Sequence, residues 1–154
     1  HTVRFVVGLF CYENFSIPVR GPKRRFLERK IGGRLEDVSK INLKEDFIVR
    51  FRDGGRVHVD LDELKPVVRP GCLACSDFTN VYADMSVGGV GSPDGYTTVI
   101  IRNLDLKMIV EDAVKQGYLE DGGELNVESI EGMASRKLRR AQSYLKAKRM
   151  ALRR

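Results

Sequence analysis

The sequence predicts an α/β fold, with an α+β arrangement as its neighbour: a mixed sheet with flanking helices, a β-hairpin and a long basic C-terminal helix. Three observations predict it. Residues 3–10 and 96–102 are apolar, β-branched runs of strand length. Residues 47–51 and 57–61 alternate around Asp53-Gly54-Gly55, a hairpin signal. Residues 106–116 and the segment from Glu128 onward carry apolar side chains at helical spacing.

The first run, 3–10, reads as a buried strand. It ends in Cys11, at the strand end where open α/β sheets collect ligands. Pro18 and Pro22 bracket a turn, and 23–31 is helical until Gly32-Gly33 stops it. The hairpin follows. Residues 67–92 read as loop, with one short apolar passage at 81–87, before the strand at 96–102. In the next helix Leu106, Ile109, Val110, Ala113 and Val114 form the apolar stripe, and Gly117 suits its C-terminal cap. The last helix keeps Ile130, Ala134, Leu138, Ala141, Leu145 and Leu152 on one face.

A chain of 154 residues, 42% hydrophobic and 31% charged, is sized and composed as one soluble globular domain. No run approaches the roughly 18 apolar residues of a membrane span, and no signal peptide precedes the first strand. The chain begins at His1 and enters an apolar run at once, the expected look of a cut through a larger polypeptide. Three cysteines, an odd number, argue for a reducing, cytoplasmic home rather than a secreted disulfide framework. The net charge of +6 is unevenly distributed. Nine of the 27 basic residues lie after Glu131, where no acid follows, leaving 18 basic against 21 acidic side chains upstream.

Two features carry chemistry. Cys72 and Cys75, two residues apart after Pro70-Gly71, can turn both sulfurs toward one soft metal centre. Zinc wants four ligands and an iron–sulfur cluster normally takes four cysteines, whereas this chain adds only Cys11. His1 and His58 could contribute, but His58 sits on a hairpin strand and reads as solvent-facing. Gly88-Gly89-Val90-Gly91-Ser92 matches neither a dinucleotide fingerprint nor a P-loop. Its glycines nonetheless expose backbone N–H groups and suit close approach by a ring or phosphate, and equally suit a tight turn. Asp77 and Asp84 read as loop anchors.

Taken in order, Gly8-Leu9-Phe10-Cys11-Tyr12-Glu13-Asn14-Phe15, Arg69-Pro70-Gly71-Cys72, Cys75-Ser76-Asp77-Phe78, Ala83-Asp84 through Gly91-Ser92, and Gly95-Tyr96-Thr97-Thr98-Val99-Ile100-Ile101-Arg102 resemble the coenzyme F-420 hydrogenase/dehydrogenase beta-subunit family. The resemblance covers most of the chain. It implies an iron–sulfur flavoprotein in which electrons pass between the deazaflavin coenzyme F-420 as substrate, FAD and a 4Fe–4S cluster, in a hydrogenase- or formate-dehydrogenase-type complex. Carried over by position, Cys11, Cys72 and Cys75 would be cluster ligands, with a fourth ligand supplied by an upstream N-terminal segment. Asn80, Asp84, Gly88, Gly89, Gly91, Ser92, Thr97 and Thr98 would lie against FAD. Residues 1–127 would form the redox domain, with the basic helix 128–154 packed on it; the charges of that helix read either as a docking face for an acidic partner subunit or as a solvated face.

Two basic segments leave other readings open. Arg20, Lys23, Arg24, Arg25, Arg29, Lys30 and Arg34 either steer an anionic cofactor or form a solvated helix face. The C-terminal helix, with Tyr144 as its lone aromatic, offers no base-stacking platform for nucleic acid. The competing reading of the chain is a zinc-binding interaction module whose basic helix binds an anionic partner.

Overall fold

A computed structural model describes residues 2–44 and 46–152. The chain divides into two compact units, Glu13–Ala74 and His1–Tyr12 with Cys75–Arg154.

Glu13–Ala74 is built on an antiparallel sheet of β2 (Val38–Leu43), β3 (Asp46–Phe51) and β4 (Arg56–Asp60), in the order β2-β3-β4. The hairpin joins β3 to β4, with Phe47 opposite Val59 and Val49 opposite Val57. Its turn uses the residues the sequence offers: Gly54 has φ 92°, and the Asp53 carboxylate accepts the Gly55 N–H at 2.8 Å. Helix α1 (Pro22–Ile31) opens on its proline and closes on Gly32 in the left-handed conformation. It buries Leu27 and Ile31, and packs on β4 and on the 3-10 stretch Leu61–Val67, whose Leu61, Leu64 and Val67 are also buried. Each such side chain contributes about 1.5–3 kcal/mol on leaving water.

Two elements of this unit depart from expectation. β2 is too polar to read as a strand; it is an edge strand held by the ladder to β3, where Ser39 Oγ donates to the Arg50 carbonyl at 3.0 Å. The Pro-Gly turn before the cysteines is the first turn of a short helix, α2 (Pro70–Ala74), with proline at its opening position.

The other unit holds a mixed sheet in the order β1-β5-β6: β1 (Val7–Leu9) parallel to β5 (Met85–Gly88), and β5 antiparallel to β6 (Thr98–Ile101). The expected buried strand at 3–10 is a three-residue edge strand instead, with Val3 79% and Leu9 69% exposed. Only three residues of the run find ladder partners on β5, so its apolar ends lie outside the sheet. Helix α3 (Leu104–Lys115) is capped by Asn103, whose side chain accepts the Asp105 and Leu106 N–H groups, and Gly117 follows with φ 77°. Of its expected stripe only Leu106 is buried; Ile109 and Val114 face outward.

Helix α4 (Val127–Ala151) starts at Asn126, which accepts the Ser129 N–H at 2.9 Å. Its buried face is Ile130, Met133, Lys137 and Ala141, rotated from the one the leucines suggest, so Leu138, Leu145 and Leu152 are exposed. Among the described residues no helix is long and apolar enough to cross a membrane.

Candidate functional site

The cysteine-bearing segments of the second unit are tied together by α4. Cys11 follows β1, and its N–H donates to the Phe78 carbonyl at 2.9 Å. Cys75 lies three residues before Phe78, with Sγ 3.7 Å from the Asp77 carbonyl. The ammonium of Lys137, 1% exposed, donates to that same Asp77 carbonyl at 2.6 Å and to the Cys11 carbonyl. One turn further along α4, Arg140 Nη2 donates to the Tyr12 carbonyl at 3.0 Å, and its guanidinium lies 4.5 Å from the centre of the buried Tyr12 ring. Cys11 and Cys75 are both half-buried, neither sealed in the core nor fully in solvent.

Cys72 belongs to the other unit, on α2. Its Sγ accepts the Asn14 N–H at 3.3 Å, the kind of hydrogen bond that stabilises a thiolate or a metal-bound sulfur. Neither unit by itself carries three cysteines, and among the described residues no three His, Cys, Asp or Glu side chains are grouped to hold a metal ion. Within each unit the donors are of the type a soft centre takes: part-exposed Cys11 and Cys75 on segments braced by a buried cation in one, and part-exposed Cys72 receiving a backbone N–H in the other. His58 is surface-facing, 3.3 Å from Asp46, and His1 lies outside the described residues.

The glycine-rich loop has two kinds of glycine. A Cβ on Gly88 would come within 2.4 Å of the Phe10 ring, and one on Gly91 within 2.8 Å of Ile130 and the Asn126 carbonyl. Gly91 also has φ 89°. These two serve the protein's own packing. Gly89 faces open space, with no atom within 4 Å of an added Cβ, and exposed Thr97 lies one residue before β6. Thr98 is buried, and its hydroxyl donates to the Val90 carbonyl at 2.8 Å; Ser92 Oγ donates to the Tyr96 carbonyl at 3.0 Å. The backbone is therefore uncrowded at Gly89, while the hydroxyls of Thr98 and Ser92 brace the loop.

Asn80 and Asp84 fix β1 to the loop that precedes β5. Asn80 has φ 52°, and its side-chain amide donates to the Leu9 carbonyl. Asp84 accepts the Val6 N–H at 2.9 Å and the Asn103 amide at 3.1 Å, and these bonds, the first above all, hold its carboxyl below the usual aspartate range. Asp77 accepts the Val81 N–H, as a loop anchor should. Sequence reasoning missed Lys137 and Arg102, the latter donating to buried Ser86 Oγ at 2.8 Å. A signal for Lys137 did exist, since it stands at helical spacing from Ile130, Met133 and Ala141. In the N-terminal basic cluster, Arg24 pairs with Glu28 and Glu36, and Lys30 with Glu63, so part of its charge is spent locally.

The family described as the C terminus of the coenzyme F420 hydrogenase/dehydrogenase beta subunit matches residues 1–123. The coenzyme F420-dependent sulfite reductase of Methanocaldococcus jannaschii is 34% identical over 147 residues, 96% of this chain and 22% of that protein. The coenzyme F420 hydrogenase subunit beta of Methanosarcina barkeri is 38% identical over 119 residues, 77% of this chain and 40% of that protein. A chain in a solved structure of the F420-reducing NiFe hydrogenase complex from Methanosarcina barkeri superposes with a TM-score of 0.73 at 32% identity, covering 94% of this chain and 50% of that one. The chain spans half or less of the length of each of these relatives. With the family model matching residues 1–123 and the fold in common, the chain belongs to the coenzyme F420 hydrogenase/dehydrogenase beta-subunit family, as its C-terminal region.

Proposed function

We propose that this chain is the C-terminal part of an oxidoreductase subunit that moves electrons between coenzyme F-420, FAD and a 4Fe–4S cluster. The observation that carries the reading is the bracing of the Cys11 and Cys75–Asp77 segments by one buried ammonium, through the Cys11 and Asp77 carbonyls, which is more structure than incidental thiols require. Cys11, Cys72 and Cys75 would hold the cluster, with a fourth ligand from outside these residues. A flavin accepts a hydride and releases single electrons, and a cluster carries them one at a time. Asn80, Asp84, Gly88, Gly89, Gly91, Ser92, Thr97 and Thr98 make up the proposed flavin side, with Gly89 and Thr97 as the outward-facing members and the others holding the loop in shape. The packing of α4 through Ile130 and Lys137 supports the described part of 128–154 as belonging to the proposed redox domain, Arg153 and Arg154 lying outside the described residues. Its exposed basic faces suit an acidic neighbouring subunit in a larger complex.

The test is anaerobic reconstitution of the full-length subunit with iron, sulfide and FAD, followed by absorption spectroscopy and metal analysis. Bound flavin together with a cluster absorption that is lost in Cys11→Ser, Cys72→Ser and Cys75→Ser is the expected result. Stoichiometric zinc with no flavin would sink the reading in favour of a zinc-binding module.

A further inference from the structure

A lysine in the buried stripe of a surface helix needs a reason. Lys137 occupies the face shared by Ile130, Met133 and Ala141 and is 1% exposed. Removing an ammonium from water costs several kcal/mol unless strong acceptors replace the lost hydration. A methionine would fill nearly the same space at no such cost. The ammonium has three N–H groups, and two of them go to main-chain oxygens of segments distant in sequence, at Cys11 and at Asp77. Both oxygens therefore lie within one ammonium's reach, which brings the Cys11 and Cys75–Asp77 segments together. The Asp77 carbonyl is also the atom that Cys75 Sγ approaches.

We propose that Lys137 is the positioning residue of the thiolate site: it locks the Cys11 and Cys75 segments side by side and places a fixed positive charge next to them. The proposal rests on the cluster reading above. A cation held beside an anionic cluster favours the state with one more electron, so Lys137 sets the cluster's reduction potential upward as well as its ligand geometry. Arginine at this position would keep the charge and the donors. Methionine would keep only the volume.

The experiment compares wild type, Lys137→Met and Lys137→Arg in the full-length anaerobic subunit. Hydrogen exchange on the metal-free protein and a redox titration of the loaded protein, followed by electron paramagnetic resonance, are the two readouts. Lys137→Met is expected to speed exchange about tenfold in the peptides holding residues 10–12 and 75–79. It is also expected to lower the one-electron equilibrium constant for cluster reduction about tenfold, equivalent to about 59 mV. Lys137→Arg restores both in large part. Should the methionine variant not fold, Lys137→Gln, which keeps a neutral donor, carries the same comparison. An unchanged potential in the loaded, uncharged variant overturns the proposal, and so does unchanged exchange in those peptides. If wild type itself takes up no cluster, the cluster reading fails, and exchange with its rescue by arginine then decides whether Lys137 fixes the two segments.

Discussion

Replacing Gly88 by alanine separates the packing role of the glycine-rich loop from its openness. A Cβ at Gly88 would stand 2.4 Å from Cγ and Cδ2 of Phe10 and 2.5 Å from its Cβ. Favourable carbon contacts lie near 3.5–4 Å, so the overlap is about 1 Å or more. Rotating the ring does not relieve it, because Phe10 Cβ is itself in the way. Nor can the backbone simply retreat: the Phe10 N–H is bonded to the Val87 carbonyl at 2.7 Å, and the ring lies 5.3 Å from that of Phe78. Overpacking of this kind costs about 1–3 kcal/mol. Gly89→Ala is the internal control. Its Cβ meets nothing within 4 Å and its φ lies outside the left-handed region, so stiffening the unfolded chain stabilises it by about 0.4–1 kcal/mol. Urea unfolding should therefore rank Gly89→Ala above Gly88→Ala by about 1.5–4 kcal/mol. If the two agree within about 0.5 kcal/mol, the ordinary scatter of surface substitutions, Gly88 is not a packing glycine and the reasoning is wrong. The same pair tests the proposed function: if Gly89 lies against FAD as proposed, Gly89→Ala should weaken FAD binding without weakening the fold.

Asn126→Ala removes the side-chain cap of α4 and should cost about 1 kcal/mol in thermal or urea unfolding, with Asn126→Asp recovering most of it. Leu27→Ala empties a fully buried site in the Glu13–Ala74 unit and should cost about 2–5 kcal/mol by the same measurement. Asp84→Asn should flatten the acid side of the stability profile. The folded carboxyl titrates below its unfolded value, so its contribution is fully present above the ordinary aspartate range and disappears as pH falls through the lowered value. The gap between wild-type and variant unfolding midpoints should narrow as pH falls from 7 to 3, and parallel curves would contradict this.

The sequence was legible wherever a local rule has one solution. Pro22 and Gly32 bound α1, Asp53-Gly54-Gly55 turns the hairpin, and the stripe from Leu106 with Gly117 after it places α3 to within two residues. It was illegible wherever pairing decides. β2 has a polar sequence and is a strand because β3 offers it a ladder, while the apolar run at 3–10 is mostly not one because β5 offers partners to three residues only. Periodicity located α3 and α4 but chose their buried faces poorly. A stripe of Leu138, Leu145 and Leu152 is no guide when the neighbouring surface is a pair of loops presenting carbonyl oxygens rather than an apolar sheet.

That last misreading and the candidate site have the same cause. Hydrophobic pattern analysis treats each lysine as solvent-facing, since an unpartnered buried ammonium is prohibitively costly. The exception arises where other segments deliver acceptors to the point of burial, and such segments must then be held in place whatever else they do. Here the delivered oxygens belong to Cys11 and to the residue two beyond Cys75. Cysteine spacing alone places Cys72 and Cys75 together and leaves Cys11 as a lone thiol. The lysine joins Cys11 to Cys75 through the backbone, while Cys72 sits on a separate unit. The pair legible as a motif and the pair of segments braced by the fold are therefore different.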